Sequence, residues 1–422
     1  MFPLAVSLIL MLLLLLLCVP VAVAIGISTF VGLYLGDIPL ELFTQRAFAN
    51  FDSFPLMAVP FFILAGDIMR HGTLAASLLD FCKVWFGHLR GALCHITVIT
   101  NLFYGALCGS ASASLAAVGS IMIPAMEKEG YSLPFATVLN AVSCNLAIMI
   151  PPSIALILYG SFAGVSVTNM FIATIVPGCV FALVIMGFGM FFVVRNGYGI
   201  MRVRSSWSAR INVLKNAKWA FGMPIIVLGS IYAGITTPTE AGAIAVLYCL
   251  LVERFVSRTL NFRLLIRICM STLRTLGMFF CILMVANAFG TMLMMFDAQD
   301  VLIEFMQSLT QNALVFLTVL CFIFVALGTF VEGTCILVVL TPLMVPVAVA
   351  YGINPVHFGI FMLFSITLGA LTPPVGTSLF LACSISGCNI LSAARVAVPF
   401  VLAQIAATLL IAYFPVLSLC LL

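Results

Sequence analysis

Two pairs of adjacent prolines, each inside a long apolar stretch, are the residues of this chain best placed to do chemistry: Ile150-Pro151-Pro152-Ser153 and Thr372-Pro373-Pro374-Val375-Gly376. Proline removes a backbone donor and clashes with the preceding turn, so a tandem pair cannot lie in a continuous helix. Broken backbone in hydrocarbon is tolerated only where protein or a polar cavity surrounds it. Two segments rich in Gly and small hydroxyl residues accompany the breaks: Gly109-Ser110-Ala111-Ser112-Ala113-Ser114 and Gly328-Thr329-Phe330-Val331-Glu332-Gly333-Thr334. Helix ends at such places offer N–H groups to a carboxylate and carbonyls to a cation. A cage of carbonyls and hydroxyls holds a hard cation such as Na+ without an acidic side chain. The expected chemistry is two cation sites with a substrate site between them. One lies where tip 109–114 meets break 145–153, the other where tip 328–334 meets break 372–377. Paired broken helices in two halves of a membrane protein point to the central site of a transporter.

Each motif has a plainer alternative. The Gly-Ser-Ala-Ser-Ala-Ser run could be a small-residue helix-packing face. Glu332 is costly deep in a span and so implies a partner or a role. It either serves the second cation site or, protonated, satisfies the backbone of its own hairpin. Glu240 and Asp67 read as solvated end positions, and Arg395 as a snorkelling residue.

The elements that hold these residues must be membrane helices. The chain is 64% apolar and 7% charged, against roughly 25% charged residues in soluble domains. Its leucine-rich start is expected to be a retained membrane segment, because the first basic residue is Arg46 and a signal peptide needs a positive n-region. The 14 cysteines lie mostly in apolar segments and the four histidines lack ligand spacing, so neither a disulfide framework nor a transition-metal site is expected. No basic and aromatic pattern suggests nucleic-acid binding.

Charge placement orders the crossings. Arg195, Arg202, Arg204, Arg210, Lys215 and Lys218 form one basic group and Arg254, Arg258, Arg263, Arg267 and Arg274 another, with Arg70, Lys83 and Arg90 a weaker third. These are expected on the cytoplasmic side. The segments 37–52, 235–240 and 297–304 would face the opposite side. The chain then divides as follows. Residues 1–70 are first-repeat scaffold helices, 71–90 an interfacial helix, and 91–165 a re-entrant hairpin with its broken helix. Residues 166–218 are a span and basic loop, 219–253 the second scaffold pair, and 254–274 an interfacial stretch. A span and loop follow at 275–311, the second hairpin and broken helix at 312–388, and a last span at 389–422. The expected fold is all-α and polytopic, with about ten crossings, two re-entrant hairpins and two broken helices in two repeats. Five crossings per half make the repeats inverted. A shift of 222 positions superimposes Pro124, Pro151, Pro152 and Pro177 on Pro346, Pro373, Pro374 and Pro399. These are four of the five prolines in that window, where about 0.2 would match by chance.

As an ordered set, several motifs resemble the large membrane subunit, of DctM type, of tripartite ATP-independent periplasmic (TRAP) transporters, within the wider ion transporter superfamily. They are residues 60–69 (Pro-Phe-Phe-Ile-Leu-Ala-Gly-Asp-Ile-Met), Gly109-Ser110-Ala111-Ser112-Ala113, Ile150-Pro151-Pro152-Ser153, Thr237-Pro238-Thr239-Glu240-Ala241-Gly242-Ala243, Leu340-Thr341-Pro342 through Pro346, and Thr372-Pro373-Pro374-Val375-Gly376. The resemblance runs nearly end to end. It implies an elevator-type importer in the bacterial inner membrane, using a sodium gradient to take up a small organic carboxylate such as a C4-dicarboxylate or sugar acid. It also implies two partners, a small four-helix membrane subunit and a periplasmic solute-binding protein. The family's site residues carry over to Gly109, Ser110, Ser112, Pro151, Pro152 and Ser153 in the first half. In the second half they carry over to Glu332, Gly333, Thr334, Thr372, Pro373, Pro374, Gly376 and Thr377. One departure is the approach to the first break, which reads Ala141-Val142-Ser143-Cys144-Asn145-Leu146-Ala147 where the family has glycines. Asn145 is expected to supply an oxygen there. Na+ is the coupling ion, and no other cofactor is implied. A stand-alone carrier of the superfamily is the alternative. An intramembrane enzyme would need a nucleophile with a base, or a second acid at the depth of Glu332, and neither is present in the sequence pattern.

Overall fold

The computed structural model describes the chain except Met1, Cys18, residues 50–52 and 200–203, and Pro374, together with the side chains of Leu16 and Ala75. The expected site residue Pro374, the basic Arg202 and the end of the acidic segment at Asp52 therefore lie outside the described residues. Among the described residues every regular element is helical. The first half comprises α1 (Phe2–Leu16), α2 (Val21–Leu35), α3 (Glu41–Ala49), α4 (Ala58–His71), α5 (Leu74–Phe86), α6 (Ala92–Cys108), α7 (Ala111–Ser114), α8 (Ser120–Lys128), α9 (Leu133–Cys144), α10 (Leu146–Met149), α11 (Ile154–Ala163), α12 (Val167–Ala173) and α13 (Ile175–Asn196). The second comprises α14 (Trp207–Tyr232), α15 (Pro238–Leu251), α16 (Phe262–Met295), α17 (Ala298–Leu309), α18 (Ala313–Phe330), α19 (Gly333–Ala350), α20 (Pro355–Gly369), α21 (Thr377–Ser386), α22 (Ile390–Tyr413) and α23 (Val416–Leu419). Among the described residues, six helices are long and apolar enough to cross a membrane, or seven if the bent pair around the first break counts as one span. The number falls short of ten partly because α1 and α2 have 15 residues each. That is about 22 Å of helix against about 30 Å of hydrocarbon.

Helices α9 and α20 form the centre. Their sequences carry no charged residue and are largely apolar all round, which favours burial. Residues 135–144 and 356–369 are buried throughout. The two broken helices lie side by side and run in opposite directions. Thr137 Oγ1 donates to Ser386 Oγ at 3.0 Å, Asn145 Nδ2 to Thr367 O at 3.1 Å, and Tyr159 Oη to Pro355 O at 2.6 Å.

Both segments expected to form hairpins bring their two ends together. A Cβ at Gly199 would stand 2.6 Å from Tyr131 Oη and 3.5 Å from Gly91 Cα, so the two ends of the first hairpin meet at one place. The ends of the second meet where the Phe316 and Tyr351 rings stack at 4.2 Å and Tyr351 Oη donates to Thr310 O at 2.7 Å. Many helix boundaries match under the same 222-residue shift: Leu133 with Pro355, Cys108 with Phe330, and the left-handed Gly130 with Gly352.

The three basic stretches gather in space. The Arg210 guanidinium lies 5.5 Å from the Trp85 ring and 3.5 Å from His88 Nδ1, and Thr73 Oγ1 donates to Ser257 Oγ at 2.8 Å. Gly91, where the first hairpin begins, packs against Val193 at the same end.

Three expectations are corrected. Residues 254–274 are not a separate interfacial stretch. A π-helical turn at Val252–Val256 is followed by α16, one helix of 34 residues that carries Arg263, Arg267 and Arg274. At about 51 Å it is too long to fit wholly within hydrocarbon. The counterpart of α5 is instead α17, a helix within the expected loop, which Gln299, Asp300, Glu304 and Gln307 make polar. A shift of 222 carries residues 74–86 to 296–308, within one or two residues of α17. Gln299 Nε2 donates to Pro342 O at 2.9 Å. That carbonyl lacks its helical partner, because Pro346 four residues on has no N–H. Finally, part of the basic loop 195–218 is helical, since α14 begins at Trp207.

Candidate functional site

Gly109 turns the first hairpin with φ of 59°, a left-handed conformation that glycine adopts without penalty. A Cβ there would stand 2.9 Å from Pro152 O, so the tip is seated on the first break. Ser110 caps the returning arm, its Oγ accepting from Ala113 N at 3.4 Å and lying 3.2 Å from Ser112 Oγ. Ser112 is exposed. Ser114 Oγ donates to Asn101 Oδ1 at 2.6 Å and ties the two arms together. One turn below the tip, α6 meets α10 backbone to backbone, since a Cβ at Gly105 would stand 2.3 Å from Ala147 Cα.

The first break is closed by two hydroxyls, one its own and one from the start of α13. Pro152 has no N–H to offer the Ile148 carbonyl four residues back, and Ser153 Oγ donates to it instead. Thr174 Oγ1 donates to Met149 O at 2.8 Å. Pro151, Pro152 and Ser153 are buried, and the Pro151–Pro152 bond is cis.

The second break is built differently. Gly376 is left-handed, with φ of 49°, and its N–H donates to Thr329 O on the end of α18 at 3.2 Å. The Ser378 and Leu379 N–H groups both reach Ala370 O, at 3.0 and 3.3 Å, and Thr372 Oγ1 donates to Leu368 O at 3.0 Å. Helices α18 and α20 touch backbone to backbone, a Cβ at Gly369 standing 2.4 Å from Gly328 Cα. Pro373 and Thr377 are exposed, Gly333 and Thr334 half-buried. Glu332 occupies the N-cap position of α19, equivalent to Ser110 under the 222-residue shift, but its side chain makes no cap hydrogen bond and is exposed. The alternative in which Glu332 satisfies its own hairpin's first turn is therefore not adopted.

Asn145 is 1% exposed and departs from its expected place in the first cage. Its Nδ2 donates to Thr367 O at 3.1 Å and its Oδ1 accepts from Ser378 Oγ at 3.1 Å. The side chain thus leaves the approach to the first break and fastens both arms of the second broken helix. Sequence reasoning also missed Glu253, buried at 1%. Its Oε1 accepts from Thr73 N at 2.9 Å and Leu74 N at 3.2 Å, capping α5 from the other half of the chain. No spacing signal could have found that pairing. Glu240 is explained locally, by a capping box with Thr237 at the start of α15. Beside the first hairpin, a cavity of about 380 Å³ opens against α4 and α5, lined by Arg70, Thr100, Tyr104 and Ser120.

A polytopic helical bundle with two antiparallel broken helices, each met by a hairpin tip, defines the class: a multi-pass membrane transport protein. The model of the family "Tripartite ATP-independent periplasmic transporter, DctM component" matches residues 8–417, and the chain belongs to that family, whose members are transport proteins rather than enzymes. It is 35% identical over 381 residues to the isethionate TRAP transporter permease protein DctMQ of Oleidesulfovibrio alaskensis, covering 90% of this chain and 60% of that longer protein. It is 31% identical over 414 residues to the C4-dicarboxylate TRAP transporter large permease protein DctM of Rhodobacter capsulatus, covering 94% and 93%. The fold is that of the Alcanivorax borkumensis YdaH transporter, with a TM-score of 0.65 at 14% identity over 97% of this chain and 98% of that one.

Proposed function

We propose that the chain is the large permease of a sodium-driven importer of a small organic acid. In this reading the two halves are inverted repeats of one elevator-type transporter. Na+ binds at the two tip-and-break junctions, and the acid's carboxylate binds between them. A small four-helix membrane subunit and a periplasmic binding protein complete the system, and the basic end of the molecule faces the cytoplasm across the bacterial inner membrane. The observation that carries the reading is the seating of each hairpin on its own break, Gly109 against Pro152 O and Gly376 N–H on Thr329 O. Such junctions gather backbone carbonyls and Ser or Thr hydroxyls, joined at the second tip by the Glu332 carboxyl, which suits a hard monovalent cation. The named relatives favour an anionic solute, a sulfonate in one case and a C4-dicarboxylate in the other.

The test is uptake of radiolabelled succinate by proteoliposomes containing the full chain with its two partner proteins. An inward sodium gradient should drive accumulation, and an equal potassium gradient should not. Equal uptake under both gradients would remove sodium from the mechanism. Cysteine-accessibility labelling tests the orientation. Reactive positions in 204–218 and 254–274 should label from the cytoplasmic side, and labelling of either from the periplasm would overturn it.

A further inference from the structure

Asn145 stands where two halves of the chain meet, and its contacts go beyond holding one helix. Under the shift that superimposes the prolines, Asn145 is the equivalent of Thr367, 222 positions on. These two equivalent positions touch, through Asn145 Nδ2 and Thr367 O at 3.1 Å. In a two-fold arrangement a position meets its own equivalent only at the axis, so this hydrogen bond marks the axis relating the broken helices. The contact is one-sided. Thr367 Oγ1 turns back to Leu363 O at 2.6 Å and does not answer the asparagine. The free end of the amide instead takes the Ser378 hydroxyl, one residue past Thr377 in the first turn of α21.

A single buried side chain therefore joins three places: the start of α10 just before the first break, the end of α20 just before the second, and the start of α21 just after it. Its neighbourhood is closed to water, Thr367 being 5% and Ser378 9% exposed. If either break shifts, the Thr367 carbonyl loses the Asn145 amide and the Ser378 hydroxyl keeps only the weakly accepting Cys144 sulfur, a cost the protein avoids by moving both breaks together.

We propose that Asn145 is the positioning residue that couples the two cation sites, so that filling one sets the geometry of the other. This rests on the sodium reading above. It adds that the sites fill cooperatively and names the group responsible. An energetic link between two sites appears as a change in affinity by the same factor in both directions. Two linked sites give a sigmoidal isotherm with a Hill coefficient between one and two, and severing the link returns it to one.

The experiment is equilibrium binding of radioactive sodium to the purified full chain by scintillation proximity, with choline replacing sodium and no organic acid present. The wild-type isotherm should be sigmoidal. Asn145→Ala should bind with a Hill coefficient near one and a half-saturating concentration raised by about tenfold, a moderate coupling. Ser378→Ala leaves the Asn145–Thr367 bond in place and should give an intermediate curve, which keeps the proposal testable if Asn145→Ala folds poorly. A merely structural role would reduce the amount of folded protein without changing the isotherm's shape. A wild-type Hill coefficient in folded Asn145→Ala, or in Ser378→Ala if only that variant folds, overturns the coupling while leaving sodium transport standing. Absence of saturable sodium binding by the wild type overturns the sodium reading itself, and the coupling with it.

Discussion

The two hairpin-and-break units occupy equivalent stretches of sequence, yet one is closed and the other open. In the first, the arms are tied by Ser114 and Asn101, the break residues are buried, and the carbonyls of Ile148 and Met149 each accept a hydroxyl. In the second, the positions equivalent to Asn101 and Ser114 are Ile323 and Ile336, which cannot make that tie. Its arms meet little beyond their shared tip, and α20 packs along both. Glu332, Pro373 and Thr377 are exposed. The same backbone device stands twice, but its side chains differ: the first unit has more of its polar groups satisfied and leaves Ser112 exposed at its tip, while the second leaves Glu332, Pro373 and Thr377 exposed.

The comparison can be broken in three ways. The largest effect is expected at the feature both units share, the backbone-to-backbone approach beneath each tip. Gly369→Val and Gly105→Val should each cost about 3 kcal/mol or more, seen as loss of monodisperse protein and a lowered thermal unfolding midpoint. Normal behaviour of either variant would mean that its close approach is dispensable. Next, Thr174→Val removes the donor to Met149 O at nearly constant shape and should cost about 1–3 kcal/mol, read by thermal unfolding. Its sodium dependence should stay near wild type, and a larger sodium shift than at Thr377 would reverse the assignment of closed and open units. The smallest effects belong to the exposed hydroxyls. Thr377→Ala should raise the sodium needed for half-maximal uptake by about tenfold and Ser112→Ala by about threefold, the loss of one coordinating hydroxyl oxygen in each case. Identical curves for both variants and wild type would remove these hydroxyls from the cation sites.

Sequence alone determined the membrane class and the two breaks, and it pointed to a repeat with a 222-residue spacing. Each rests on a local property: apolar runs, missing N–H groups at proline and the spacing of matched prolines. It also brought the three basic stretches to one end, because charge avoids hydrocarbon wherever it lies in the chain. It failed where local signals compete. Arg263, Arg267 and Arg274 disguised the first turns of a 34-residue helix, and four polar residues disguised α17. Only the tertiary structure decided that Glu253 caps a helix 180 residues away, that Glu332 leaves its own hairpin uncapped, and that Asn145 reaches the second broken helix. These are choices of partner among buried polar groups. They depend on which helices lie side by side, and no spacing along the chain records that.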